Sequence, residues 1–308
     1  MTTAMNTPVR RKRKNSLLSR RDRGVLAVMA GIPTAIHIAF IWVPAVLSIL
    51  LSFTKWNGVK SVPIKWVGFK NYRSLFSVWW PDDVWPAIKH NLIWLLAMTI
   101  ATMIGLLLAV LLDKNIKGSR VYQSVLYLPV VLSLAVVGFM WQLIYRIDDG
   151  FINQFLGTSS KNGGTDWLGN SDINLYSILV AAAWRHVGYI MVLFLAGLKA
   201  VDPTLREAAS IDGASEPQTF FRVILPALKP INIVVMVVTV IESLRAFDLV
   251  YIASRGSKGT KLFSNIVYDN IVGETRRVGF GSAAAVLMLL VSTGFIFSYL
   301  WSNYKESR

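Results

Sequence analysis

Long apolar runs alternate with polar stretches along this chain, and the alternation repeats six times. The runs cover residues 25–53, 91–112, 121–145, 173–198, 231–252 and 281–301. A helix that crosses a bilayer needs about 20 mostly apolar residues, so every run is long enough. The first, second, third and sixth contain no Asp, Glu, Lys or Arg. The pattern predicts an all-α, polytopic integral membrane protein with six transmembrane helices. The first run is too long for the apolar region of a signal peptide, and no clear small-residue cleavage site follows it. It is read as a retained anchor.

The polar stretches differ in kind. Residues 113–120 make a short connector, whereas 199–230 is long enough to carry structure of its own. Asp202 can cap a helix with Pro203 at its first position. Gly213 supplies a break that tolerates positive φ. Ser215 and Gln218 have capping-box spacing and start a second short helix. Leu225-Pro226 and Pro230 end it. The predicted product is helix–glycine–helix, with Ile211, Phe220, Phe221, Val223 and Ile224 as apolar positions that pack on the chain's own helix ends or on a partner. On the other side, residues 55–89 hold five of the eleven tryptophans, Trp56, Trp66, Trp79, Trp80 and Trp85. Indole rings favour the headgroup zone, which predicts an interfacial segment. Stacking on sugar rings is the second reading.

Charge then sets orientation. The net charge is +15, which raises a nucleic-acid reading. Location argues against it, because eight cations lie within residues 10–23, directly before the first span. A basic cluster there marks a cytoplasmic N-terminus and attraction to anionic lipid. With six spans both termini share that side, and the loops and tails assigned to it carry 17 Lys and Arg against 13 opposite. The chain has no cysteine, which removes disulfides and thiolate metal sites.

Four charges fall inside predicted spans: Arg185 in the fourth, and Glu242, Arg245 and Asp248 in the fifth. Each costs roughly 2.5–3.5 kcal/mol on insertion scales, so each must face protein or a watery cavity. Glu242 and Arg245 are three apart and can pair along one helix face. Together with Tyr251 these residues are candidates for a translocation pathway. A structural ion pair that orients helices is the competing reading. His37, His90 and His186 have no metal-ligand spacing, and hydrogen-bonded packing is expected of them. No catalytic cluster stands out, so the chain is not expected to be an enzyme. No G-x-x-x-x-G-K-[ST] loop occurs, so any ATP must be bound elsewhere. Gly279-x-Gly281-x-x-Ala284 precedes a span rather than following a strand, and reads as close helix packing.

Glu207-Ala208-Ala209, three residues, Gly213, nine residues, then Val223-Ile224-Leu225-Pro226 resembles the EAA motif of permease subunits of binding-protein-dependent ABC importers. Val223 stands where that family usually has isoleucine. Trp66-Val67-Gly68-Phe69-Lys70-Asn71-Tyr72, Phe247-Asp248-Leu249-Val250-Tyr251 and Gly279-Phe280-Gly281-Ser282-Ala283-Ala284 resemble the carbohydrate-uptake branch, of maltose and glycerol-phosphate type. The resemblance implies a MetI-like type I importer fold. It implies that the loop docks on an ATPase through Glu207, Ala208, Ala209, Gly213, Phe220, Leu225 and Pro226. The partners it implies are a second homologous permease, two ATPase subunits that bind the ATP and Mg, and an extracytoplasmic sugar-binding protein. The location it implies is a bacterial or archaeal cytoplasmic membrane. The organisation expected is a basic tail (1–24), a first helix with its Trp-rich outer segment (25–89), the permease domain (90–302) with coupling loop 199–230, and a short tail (303–308). An ion-coupled secondary transporter using Glu242 or Asp248, and an ABC permease for a non-sugar solute, are the alternatives.

Overall fold

A computed structural model of the chain describes residues 19–306 except 115, 258 and 274. The cations at 10–14 lie outside the described residues. Four helices are long and apolar enough to cross a bilayer: Arg21–Leu51, Trp80–Asp113, Asn174–Ala200 and Val278–Ser302. Two bent helix pairs, Ser119–Val131 with Leu134–Ile144 and Glu216–Ala227 with Lys229–Ser254, bring the number to six if each pair is one span. A total of up to six is consistent with the apolar pattern.

The bends are what the pattern did not show. The third run turns by 99° between its halves. Pro129 lies in the last turn of the first half, and Leu132 leaves the helix at ψ 140. Ser133 then starts a new helix, its hydroxyl accepting the Val136 N–H at 3.3 Å. The fifth pair bends by 73°, with Leu228 at the joint. Proline on each side, at 226 and 230, removes backbone donors that would keep one helix going. The fifth run is also broken a second time. Its helix ends at Leu244 and resumes as Asp248–Ser254, so 231–252 is not the continuous helix expected.

The chain divides after Ser48 into two units. In the first, the helix opens on a capping box in which Ser19 and Asp22 exchange bonds of 3.0 and 3.1 Å. Its apolar side chains point outward, Phe40 with 76% of its surface exposed. That is the surface of a helix solvated by lipid or by a partner chain.

In the second unit the helices Trp80–Asp113 and Asn174–Ala200 make the central packed pair. Three apolar clusters stack along them. One contains Leu75, Val84, Phe263 and Phe280, the next Trp94, Ile178 and Val250, and the third Leu112, Ile190, Ile224 and Leu228. The Trp-rich segment caps one end. Its Thr54–Lys55 and Lys65–Trp66 strands pair antiparallel. The Asn71 side-chain amide donates to the carbonyls of Ser52 and Thr54 at 2.8 and 2.9 Å, and the Tyr72 hydroxyl meets Ser52 Oγ at 2.7 Å. Phe53 packs on Trp66, Phe69 and Tyr72 with ring centroids 5.2–5.6 Å apart. The Trp66–Tyr72 motif is therefore a lock on the chain leaving the first span. Gly279 closes the same corner, because a Cβ there would sit 1.9 Å from the Thr54 carbonyl oxygen. This is close packing, as the sequence suggests for these small residues, but Gly279 meets the Thr54–Lys55 strand and not a helix.

Candidate functional site

Two regions collect the residues singled out from the sequence. The first is the 199–230 loop. The Pro203–Ile211 helix starts where expected: Asp202 Oδ1 accepts the Thr204 N–H at 2.9 Å. That bond also holds the Asp202 carboxyl below the usual carboxylate range. Gly213 takes φ +74 with open space around it, so the turn needs its backbone freedom rather than its small size. The Ser215–Gln218 capping box forms, with the Ser215 N–H donating to Gln218 Oε1 at 2.9 Å. Helix then runs from Glu216 to Ala227.

The loop's apolar positions divide between inside and outside. Ile224 is buried among Leu112, Leu198 and Leu228, and Phe220 packs against that cluster. Ile211 and Phe221 point away, 86% and 64% exposed. Ala209 is buried, Leu225 half-buried, and Glu207, Ala208 and Pro226 are exposed. Glu207 makes no ion pair or side-chain hydrogen bond among the described residues. The loop thus presents a carboxylate without a partner among the described residues together with two exposed apolar side chains, Ile211 and Phe221.

Two ion pairs that the sequence reading missed fix this loop to the 113–120 connector. Arg206 reaches Asp113 at 2.7 Å, and Lys114 reaches Glu216 at 2.5 Å. Lys114 holds the exposed Glu216 carboxyl below its usual range. Nothing local signals these pairs, whose partners are 93 and 102 residues apart.

The second region is a pocket of about 200 Å³ in the helix bundle. Arg185, Glu242, Arg245 and Asp248 all line it, beside Trp94, His186 and Phe247. Tyr251 does not. Its ring stacks on Phe247 at 5.0 Å, and its hydroxyl meets that of Tyr268 at 3.2 Å. Nor does Glu242 form the ion pair with Arg245 that helical spacing allows; its carboxylate is hydrogen-bonded to His186 Nδ1 at 3.3 Å. Arg245 caps the helix, its N–H still bonded to the Ile241 carbonyl at 3.0 Å, and the Glu242 carboxylate turns to His186 instead.

His186 is 3% exposed and is held on both sides. Its Nε2 lies 3.1 Å from Thr102 Oγ1 and 3.3 Å from Thr239 Oγ1, so one ring joins three helices. It is hydrogen-bonded packing, as expected, and it also sets the direction of the Glu242 carboxylate. His90 is likewise packed, against the Lys261 carbonyl at 2.9 Å. Asn91 and Ser264 serve the broken helix. Asn91 donates to the Ser243 carbonyl at 3.2 Å and accepts from the Phe263 N–H at 2.9 Å, while the Ser264 hydroxyl donates to the Ala246 carbonyl. Irregular backbone at membrane depth persists only when its polar groups are satisfied in this way. The Arg185 Nε is buried and has no hydrogen-bond partner among the described residues. The pocket thus offers two guanidiniums, two carboxylates and two aromatic rings to one small volume. That set can bind and orient a polar solute but has no nucleophile–base pair for covalent chemistry.

Comparison with known proteins fits this architecture. Residues 101–305 match the family described as binding-protein-dependent transport system inner membrane component. The xylose/arabinose import permease protein XacH of Haloferax volcanii is 32% identical, over 83% of this chain and 80% of that one. The trehalose/maltose transport system permease protein MalF of Thermococcus litoralis is 30% identical, over 79% and 81%. The crystal structure of a bacterial ABC transporter involved in the import of the acidic polysaccharide alginate shares the fold, with a TM-score of 0.78 at 20% identity over 93% of this chain and 97% of that one. None of this favours an ion-coupled secondary transporter. The chain belongs to the binding-protein-dependent transport system inner membrane component family: it is a multi-pass permease of an ABC transporter, not an enzyme.

Proposed function

We propose that this permease forms half of the translocation pathway of a carbohydrate importer. It pairs with a second, homologous permease in a bacterial or archaeal cytoplasmic membrane, with both termini cytoplasmic. Two ATPase subunits bind ATP and Mg and grip the 199–230 loop; a sugar-binding protein delivers cargo outside. The sugar assignment rests on relatives named for xylose/arabinose and trehalose/maltose transport. It also rests on the pocket, whose paired donors, acceptors and rings suit a polyhydroxylated solute.

The observation that carries the coupling role is the outer face of the Pro203–Ile211 helix. Glu207 stands there without a partner among the described residues, and Ile211 beyond it is 86% exposed. Glu207 supplies the ion pair to the ATPase, and Ile211 and Phe221 the apolar contact. Ala208 and Ala209 permit close approach, and Gly213, Phe220, Leu225 and Pro226 hold the loop's shape. ATP binding draws the ATPases together, the loops follow, and the bundle switches the pocket between its two sides. Arg185, Glu242, Arg245 and Asp248 form the pathway surface in that exchange, with Tyr251 behind Phe247.

The test is uptake by the full complex in sealed vesicles, offered pentoses, trehalose and maltose. ATP-dependent uptake of one of these is expected. Glu207→Lys should leave the membrane part intact but reduce ATPase retention and uptake at least tenfold, about 1.4 kcal/mol of coupling. Uptake that survives ATP depletion, or ATPase retention unchanged in Glu207→Lys, would overturn the reading.

A further inference from the structure

A groove of about 440 Å³ lies where three spans end beside the 113–120 connector. It adjoins the first region described above, with which it shares only Lys199. Leu112 and Ile116 form its apolar wall, and Arg120 and Lys199 its charged rim, with Ser119 and Gln123 completing the lining. No carboxylate lines it. Arg120 and Lys199 make no ion pair among the described residues. The nearby acids are already engaged, Asp113 by Arg206 and Glu216 by Lys114. Two uncompensated cations therefore share one concave site.

The surroundings say what kind of anion fits. The helix Ser119–Val131 starts at the groove, and its first residues place Val121, Tyr122 and Val125 on the surface, 64%, 54% and 63% exposed. An apolar track thus leads away from a basic pocket along a bilayer-spanning helix. A free anion has no use for that track, whereas a phospholipid needs both parts. Basic pockets between spans on the cytoplasmic side attract anionic headgroups, each Lys or Arg contributing about a fivefold gain in affinity.

We propose that this groove binds the phosphodiester headgroup of an anionic phospholipid of the inner leaflet, its acyl chains lying along Val121 and Val125. The proposal rests on the orientation stated above, with the 113–120 connector cytoplasmic. The bound headgroup also bears on coupling, because Lys114 of the same connector is paired to Glu216 of the docking loop.

The experiment uses the whole transporter in nanodiscs of phosphatidylcholine with graded phosphatidylglycerol, and counts retained lipid by native mass spectrometry. The wild-type complex should retain phosphatidylglycerol selectively. Arg120→Gln with Lys199→Gln should weaken that selectivity by about 25-fold, and either change alone by about fivefold. Arg120→Lys should keep it, and Lys117→Gln, outside the lining, should change it less than about twofold. Co-purification of the ATPases reports assembly, and the single variants carry the result if the double variant does not assemble. No preference for phosphatidylglycerol in the wild type, or an equal preference in the double variant, overturns the proposal. So does inorganic phosphate binding to the detergent-solubilised complex that abolishes lipid selectivity, which would make this a soluble-anion site. Failure of the orientation is read separately: Lys117→Cys would then react with an impermeant maleimide from outside, whatever the lipid counts show.

Discussion

At the scale of single residues, position in the packing decides what a glycine does. Gly279 and Gly294 lie on the same helix, Val278–Glu306. A Cβ at 279 would meet the Thr54 carbonyl oxygen at 1.9 Å, while one at 294 would meet nothing within 4 Å. Gly279→Ala should therefore cost about 1–3 kcal/mol through forced backbone displacement. Gly294→Ala should be neutral or stabilising by about 0.5–1 kcal/mol, because alanine is the better helix former. Thermal inactivation of the purified complex checks both; equal effects at the two positions would contradict the packing described. The charges in the fifth span teach a related lesson. Glu242, Arg245 and Asp248 were visible as unusual from their cost in a membrane alone. Their partners were not, because the His186–Glu242 contact joins residues 56 apart on different helices.

At the scale of elements, local chemistry specified the 199–230 loop almost completely. Asp202, Gly213, Ser215 and Gln218 act within three residues of themselves, and each adopts the cap or turn that its side chain or lack of one dictates. The ties between loop and connector lie beyond that range. Exposed ion pairs are worth about 0.2–1 kcal/mol each, but two pairs on one short connector restrain it more than either would alone. Asp113, with 13% of its side chain exposed, is the better shielded partner. Exchanging the charges offers a sharp check. Asp113→Arg and Arg206→Asp should each lower uptake per ATP hydrolysed, and the two together should recover most of it. A double variant no better than the singles would mean that the pair does not act in the working transporter. The bends belong to this scale as well. Pro129, Pro226 and Pro230 were visible, but proline tells where a helix is weakened and not by what angle it turns; neighbouring helices set 99° in one place and 73° in the other.

At the scale of the whole molecule, the issue is how many times the chain crosses. The bent third pair could cross or return, and the first alternative gives six spans with both ends on one side. The absence of cysteine makes this measurable without removing anything. Lys117→Cys and Lys161→Cys, placed before and after that pair, should label with an impermeant maleimide from opposite sides: 117 in inside-out vesicles and 161 in intact cells. Labelling of both from one side would make the pair a re-entrant hairpin. The six apolar runs, the membrane class, the caps and glycine of the 199–230 loop, and the cost that makes Arg185 and the fifth-span charges conspicuous are all legible along the chain. These follow from water–lipid transfer and from backbone chemistry acting over a few residues. Helix packing alone makes His186 and not Arg245 the partner of Glu242, lets Asn91 and Ser264 satisfy a broken helix, and brings Arg206 and Lys114 to tie the loop to its connector. Those contacts join side chains tens to more than a hundred residues apart. Their geometry exists only once the helices have packed, so no pattern along the chain encodes it in readable form.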